Sequence, residues 1–191
     1  MVKFFWNQYV INIFVKNIAS QQANTKMEYK KLLIIQQVFN GVNYTDIGSV
    51  VDTYESFHVV CQEFPFKHLP EIKDLAKREW FDENGDDVYV PTDGLKFKAY
   101  DLEVKFLYVG LEEEMADDLK AFIAFLYGRN DGGSPMLAIY DEYTQTGRRG
   151  VYVQSTDNDL FMYNDANSEA LASFKVKFRV TDPVTDITLS L

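Results

Sequence analysis

The stretch that decides the fold alternates apolar and charged side chains and reads Leu102-Glu103-Val104-Lys105-Phe106-Leu107-Tyr108. Apolar side chains stand at every second position from Leu102 onward, and Glu103 and Lys105 lie between them. Because successive side chains of a β-strand point to opposite faces, the pattern gives one buried face and one solvated face. The stretch therefore predicts a half-buried antiparallel strand.

A longer alternation near the end of the chain predicts a second strand of the same kind. Its apolar positions are Phe174, Val176, Phe178 and Val180, and the positions between them are Lys175, Lys177 and Arg179. Asp182-Pro183 ends the pattern, because proline cannot donate to a sheet ladder. Apolar runs bounded by turn residues predict a strand or a short arm over 29–39 and shorter strands over 50–64, 136–140, 150–155 and 160–163, with a turn at 157–159.

One amphipathic helix is predicted over residues 112–127. Its first turn holds three glutamates, 112–114, and the positive end of the helix dipole stabilises acids there by about 0.3–1 kcal/mol each. Apolar side chains recur behind them at helical spacing, namely Met115, Leu119, Phe122, Ile123 and Leu126. Gly128 supplies the stop, and the apolar stripe is expected to lie across a sheet. A short helical turn is also predicted over 71–80, before a glycine-centred acidic turn at 81–87.

Strands on both sides of one helix, with turn residues at short intervals, predict a mainly β (α+β) fold. We expect an antiparallel β-sandwich or barrel-like structure with one flanking α-helix. The length of 191 residues suits a single domain, which is placed at 27–191. Residues 1–26 hold three lysines and no acid around an apolar run. They are interpreted as an N-terminal arm, a start-site artefact upstream of Met27, or a signal sequence.

The composition limits the classes of partner. Nineteen basic and 29 acidic residues give a net charge of −10, and such a field repels phosphate backbones. Specific nucleic-acid binding is therefore not expected. A membrane partner is not expected either, because the apolar run near the N-terminus is shorter than the ~20 residues that a span needs. The one cysteine, Cys61, argues against a disulfide framework and a multi-cysteine zinc site.

Few residues are candidates for catalytic chemistry. The two histidines are His58 and His68, and a Ser-His-Asp or Cys-His catalyst would need one of them. His58 and Cys61 are three residues apart, which places them on opposite faces of the predicted strand. His68 has no nucleophile beside it in the sequence. Both histidines are interpreted as surface or loop residues, and no enzymatic activity is predicted.

Two glycine-containing loops differ from known ligand-binding motifs. The acidic loop 82–87 resembles part of a calcium loop, but its glycine is fourth instead of sixth, and the twelfth residue is Asp93 instead of glutamate. A solvated turn is the preferred interpretation. Gly132-Gly133 follows the predicted helix instead of preceding it, so it does not form a phosphate-binding loop. No cofactor and no metal is predicted.

The remaining candidates are surface residues. Aromatic and arginine side chains are enriched at protein–protein contacts because they bring much contact area with few rotatable bonds. The candidate interface residues lie near predicted turns and strand ends and are Trp80, Phe81, Tyr89, Tyr143, Arg148 and Arg149. A β-sandwich core is the alternative place for the aromatic members of this set.

Three stretches resemble tail structural proteins of phages and prophages from Bacteroides-type gut bacteria. They are 69–91, which includes Trp80-Phe81-Asp82-Glu83-Asn84-Gly85-Asp86-Asp87-Val88-Tyr89-Val90-Pro91, and then 140–149 and 174–183. The resemblance covers residues 54–191 and is to tail-tube and distal-tail (baseplate hub) subunits, which form hexameric rings. It implies a virion structural protein that assembles in the host cytoplasm with copies of itself and with other tail proteins. It brings no active site.

Two other functions are compatible with the sequence. In a carbohydrate-binding β-sandwich, Trp80, Tyr89 and Tyr143 would share one exposed face and stack on sugars. A hydrolase would need a cleft with two carboxylates about 5–10 Å apart, and the 29 acidic residues single out no pair. The virion structural role is the leading prediction, because it accounts for the β pattern, the single helix and the lack of a catalytic signature.

Overall fold

The computed structural model describes residues 32–63, 67, 70–82, 84–157, 161–164 and 169–191. The predicted N-terminal segment 1–26 and most of the predicted turn 157–159 lie outside the described residues. In chain order the elements are β1 (Leu32–Phe39), β2 (Tyr44–Asp52), α1 (Thr53–Phe57), β3 (Val59–Glu63), β4 (Lys77–Glu79), β5 (Asp86–Val88), β6 (Tyr100–Leu111), α2 (Glu112–Leu126), β7 (Met136–Asp141), β8 (Thr146–Thr156), β9 (Phe161–Asn164) and β10 (Glu169–Val180).

The main sheet is antiparallel and runs in the order β2-β1-β7-β8-β10-β6-β3, with β9 also paired to β10. The short helix α1 joins the two edge strands β2 and β3 and contacts β1, β2 and β3. Because these strands stand at opposite ends of the order, the sheet must curl until its edges approach each other. A single core accordingly includes Ile34 from one end, Val59 from the other, and Phe122 from α2. The predicted mainly β fold with a flanking helix is confirmed.

Strands β6 and β10 form the centre of the fold, as their alternating sequences predict. They pair over their whole length, with Phe106 opposite Phe174 and Lys105 opposite Lys175. The inward face of β6 is buried from Leu102 to Tyr108. The outward face carries cross-strand ion pairs, among them Lys175 with Glu103 at 2.7 Å. These exposed pairs contribute little to stability, so the buried face holds the two strands in register.

Helix α2 packs on β6 and β10 as predicted, although its buried face differs in part. Met115, Phe122 and Leu126 are buried as expected, and Phe125 is buried with them. Leu119 and Ile123, which the apolar stripe predicts to be buried, are only half-buried. Gly128 takes a φ of +65° just after the helix, which is the left-handed conformation expected at a glycine stop.

The segment predicted as one strand over 50–64 is divided by α1. Asp52 caps this helix, since its Oδ1 accepts from the backbone N–H of Tyr54 at 2.8 Å and of Glu55 at 3.2 Å. His58 then ends it in the left-handed region, with a φ of +54°. The alternation Phe57-His58-Val59 therefore did not continue a strand, because a local cap overrode the period-two pattern.

The predicted helical turn over 71–80 is wrong. Strand β4 occupies its second half and pairs antiparallel with β5, so that Lys77 faces Val88 and Glu79 faces Asp86. The glycine-centred turn between them was predicted, and Gly85 takes a φ of +93° there. The turn residues specify a hairpin, which requires an extended chain on both sides.

Neither of the two helices that the structure describes is long and apolar enough to cross a membrane.

Candidate assembly surface

The segment between β3 and β6 extends away from the main sheet and contains the hairpin of β4 and β5. We call residues 71–98 the arm. At its base the Lys98 N–H donates to the Glu71 carbonyl at 2.7 Å, and the Lys73 N–H donates to the Lys96 carbonyl at 2.8 Å. Further out the Tyr89 N–H donates to the Ala76 carbonyl at 2.9 Å, and β4 pairs with β5. The arm is therefore a two-stranded ladder whose backbone bonds are made within itself.

The arm has no core of its own. None of its described residues from 71 to 96 is buried. Phe81 is fully exposed, and Tyr89 is 70% exposed. The exposed large apolar side chains of the arm are Ile72, Trp80, Phe81, Val88, Tyr89, Val90 and Leu95. An isolated two-stranded hairpin is only marginally stable in water, and contiguous exposed apolar surface marks a contact site. The arm is therefore the candidate contact surface of the chain.

Polar contacts organise one side of the arm. The Trp80 indole N–H donates to Asp87 Oδ2 at 3.1 Å, and the Arg78 guanidinium lies 3.9 Å from the Trp80 ring centre. Lys77 bonds to Glu79 and Asp86 on the same hairpin. These contacts fix Trp80 as part of the scaffold of the arm. Phe81 and Tyr89 are the aromatic side chains that remain most available to another molecule.

The charge of the arm differs from that of the central strands. Its tip carries Asp82, Asp86 and Asp87, and the sequence from 82 to 87 contains no basic residue. The outward face of β6 and β10 presents more cations than acids, with Lys105, Lys175, Lys177 and Arg179 against Asp101 and Glu103. Opposite charges on two surfaces of one chain favour head-to-tail contact between copies and suppress contact between like surfaces.

Edge strands offer a second kind of contact surface. β2 and β3 each have one hydrogen-bonded neighbour in the described part of the chain. An open edge presents unpaired N–H and C=O groups to another chain. β2 also contains Gly48 with a φ of +73°, and the β1–β2 register shifts between Ile34 and Gln36. Such irregularities limit uncontrolled pairing at an edge, so the arm remains the stronger candidate.

The other predicted interface residues lie away from the arm. Tyr143 is 68% exposed in the turn between β7 and β8. Arg148 and Arg149 lie within β8, not in the strand-end turn that the sequence indicated. Arg148 is buried and pairs with Asp186, which leaves its guanidinium no exposed surface for a partner.

The carbohydrate hypothesis requires Trp80, Tyr89 and Tyr143 on one exposed face. Trp80 and Tyr89 lie on the arm, whereas Tyr143 lies in the turn between β7 and β8.

Arg148 and Arg149 bind the C-terminal segment 181–191 to β8 through ion pairs with Asp186 and Asp182. Arg149 Nε donates to Asp182 Oδ2 at 2.7 Å, and Arg149 Nη2 donates to the Thr185 hydroxyl at 3.3 Å. Asp182 Oδ1 also accepts from the Thr185 N–H at 3.1 Å. Burial alone would raise the pKa of Asp182, but the bonds from Arg149 and Thr185 hold it below its usual value of 3.8. The arginines thus have a structural role.

The depressed pKa of Asp182 predicts that this attachment weakens in acid. The stabilisation is complete above the unfolded-state pKa of 3.8 and is lost as the pH falls below it, through the folded-state value. We expect Asp182→Asn to lower the denaturant midpoint at about pH 7, and the difference from the parent chain to shrink at about pH 3. A difference that is the same at both pH values would contradict the role of the ionised carboxylate.

The Cys61 thiol, which was the candidate nucleophile, has a raised pKa. Burial, and then the charge of Asp141, raise the pKa of Cys61 to about 12. Its thiol therefore stays protonated at neutral pH, whereas a reactive cysteine must be a thiolate. His58 Nδ1 instead lies 2.8 Å from Asp118 Oδ2 on α2. No local pattern indicates this contact, because the two residues are 60 positions apart in the sequence.

Two depressions stand out on the described surface, and both are open to solvent. One of about 460 Å³ lies on the hairpin between residues 76–78 and 87–89. The other, of about 510 Å³, follows α2 and is lined by apolar side chains that include Leu119 and Ile123. The first contains one carboxylate, Asp87, and the second contains none. Neither supplies the carboxylate pair that the hydrolase hypothesis requires.

No protein-family model matches the chain. No curated protein matches it in sequence. Among solved structures, the chain is similar to the SPP1 Dit protein, described as a paradigm of the hub adsorption apparatus in phages that infect Gram-positive bacteria. That superposition has a TM-score of 0.45 and 14% sequence identity, and it covers 80% of this chain and 50% of the other. The chain thus spans half the length of that solved protein.

Proposed function

We propose that the chain is a structural subunit of a phage tail, of the tail-tube or distal-tail type. It acts by assembling with copies of itself into a ring and with other tail proteins in the virion. The observation that carries the assembly role is the arm, a ladder without a core that exposes Phe81 and Tyr89. The motif resemblance of 69–91 and 174–183 to tail structural proteins supports the class of assembly.

In this proposal the arm of one copy lies on the neighbouring copy. Its acidic tip, 82–87, faces the cation-rich outer side of β6 and β10, and Phe81 and Tyr89 supply the apolar contact. A contact between two different surfaces of the same chain is heterologous, and it closes into a ring when the rotation between copies allows it. The net charge of −10 suits a ring whose lumen lets DNA pass without binding it.

The test compares the assembly of two surface variants. The arm variant is Phe81→Ser with Tyr89→Ser, and the control is Val42→Ser, whose side chain is 81% exposed in the β1–β2 turn. Light scattering after size exclusion gives the mass, and negative-stain microscopy shows whether rings form. An interface anchor contributes about 2 kcal/mol or more, so the dissociation constant of the arm variant is expected to rise roughly 30-fold or more. The control keeps the parent's assembly.

Two results would overturn the proposal. One is a parent chain that stays monomeric at every concentration and does not join tail proteins when these are added. The other is an arm variant that forms the same rings as the parent, which would move the interface to another surface such as the β2 edge. Circular dichroism of both variants checks that the fold is retained, as expected for exposed positions.

A further inference from the structure

Three potential metal ligands meet where α1 ends against α2. His58 Nδ1 lies 2.8 Å from Asp118 Oδ2. One ligand atom from each of His58, Glu114 and Asp118 lies within 4.8 Å of the other two. We propose that these three side chains form a binding site for a transition-metal dication of the zinc class. The site lies outside the arm and is independent of the assembly proposed above.

The donor set matches the chemistry of such an ion. Imidazole nitrogen and carboxylate oxygen bind zinc at about 2.0–2.2 Å, so ligand atoms in a tetrahedral site are about 3.3–3.5 Å apart. The contact between His58 and Asp118 must open by about half an ångström to admit the ion. Glu114 is exposed, so a rotation of its side chain can bring its carboxylate in. A fourth position stays open to water.

The backbone fixes where each ligand stands. Glu114 and Asp118 are four residues apart on α2, which places both carboxylates on one face of the helix. Two ligands at this spacing on a helix are a common basis for metal sites. His58 is held at both backbone groups, because its N–H donates to the Tyr54 carbonyl at 2.9 Å and its carbonyl accepts from the Val109 N–H at 2.8 Å.

A buried tyrosine orients the carboxylate of Asp118. The Tyr108 hydroxyl lies 3.2 Å from Asp118 Oδ2 and 3.1 Å from the Leu111 carbonyl, so its single proton is shared between these two acceptors. The Tyr108 side chain is fully buried, so this donor has little freedom to move. Hydrogen bonds of this kind to a ligating carboxylate are typical of metal sites, where they fix the direction of the lone pairs. The three ligands and the orienting partner therefore come from the residue that ends α1, from β6 and from α2.

Calorimetric titration of the full chain with ZnCl₂ tests the site. We expect saturable one-to-one binding and a rise in Tm with zinc concentration, since a ligand of the folded state stabilises it. Glu114→Gln removes a ligand at an exposed position and is expected to weaken binding by about tenfold or more. Glu113→Gln, one residue earlier on the same exposed turn, is the matched control and leaves the affinity unchanged.

Two histidine variants provide a second, independent test of the site. His58→Asn removes the imidazole while keeping a residue that tolerates positive φ, and it is expected to abolish the zinc-induced rise in Tm. His68→Asn is its control. MgCl₂ in the same titration should not bind detectably, because imidazole is a poor ligand for that ion.

Three outcomes would overturn the site. The first is an absence of saturable zinc binding to the parent chain. The second is an equal loss in Glu113→Gln and Glu114→Gln, or equal binding of magnesium, which would indicate diffuse attraction to the acidic surface. The third is binding that survives in His58→Asn or disappears in His68→Asn. Glu114→Gln keeps the test valid if His58→Asn disturbs α1, because Glu114 is exposed on a separate element.

Discussion

Replacement of Phe106 by alanine is expected to lower the free energy of unfolding by about 3–5 kcal/mol, the range for deletion of a buried phenylalanine. Phe106 is fully buried at the centre of β6. Its ring centre lies 5.3 Å from that of Phe122 and 5.6 Å from that of Phe174. The deletion therefore leaves a cavity between the helix and the two central strands. Denaturant unfolding followed by fluorescence or circular dichroism measures the loss.

Phe39→Ala is the matched control for this variant. Phe39 is 46% exposed at the end of β1 and contacts the ring of Tyr44 at a centre distance of 4.7 Å. We expect it to cost about 1 kcal/mol or less, as for a surface position with one aromatic partner. Equal losses in Phe106→Ala and Phe39→Ala would mean that the β6–β10–α2 junction is not the core of the fold.

Gly128→Ala is expected to destabilise the chain by about 2–5 kcal/mol. The left-handed backbone costs an alanine about 1–2 kcal/mol, and forced contact in a packed region adds about 1–3 kcal/mol. Gly128 has a φ of +65°, and an added Cβ would overlap the backbone of Ser134 and Pro135. Because these atoms belong to the chain that returns from α2 to β7, the overlap cannot be relieved by rotating a side chain.

Gly132→Ala separates the cost of the left-handed backbone from the cost of the steric overlap. Gly132 has nearly the same φ, +66°, but an added Cβ would meet no atom within 4 Å in the described part of the chain. This control is expected to lose only the backbone cost of about 1–2 kcal/mol. If both variants lose the same stability in denaturant unfolding, the close approach of 128 to 134–135 does not hold in solution.

The alternation of apolar and charged residues predicted the central part of the fold. Over 102–106 in β6 and 174–180 in β10 the period-two pattern is uninterrupted, so one register alone buries the apolar positions of these stretches. The helix was predictable for a similar reason, since its acids, apolar stripe and terminal glycine agree with one another. Phe125 was missed because its burial depends on how α2 is rotated against the sheet, which the stripe alone does not specify.

Local patterns failed where a short-range contact or a distant one decided the structure. The cap at Asp52 turned a predicted strand into α1, and the pairing of β4 with β5 turned a predicted helical turn into a hairpin. The aromatic residues of the arm were identified from the sequence. Their exposure was not, because a sandwich core was an equally good place for them. Arg148 was assigned to a surface that the structure buries against Asp186.

The sequence by itself determined the fold class, the two central strands and the long helix, because each follows from residues that are neighbours along the chain. Only the tertiary structure decided that the arm stands clear of the core and that His58 meets Glu114 and Asp118. Both depend on contacts between residues far apart in sequence, which are fixed when the curled sheet brings its two edges together around α1. Side-chain periodicity carries no information on that closure.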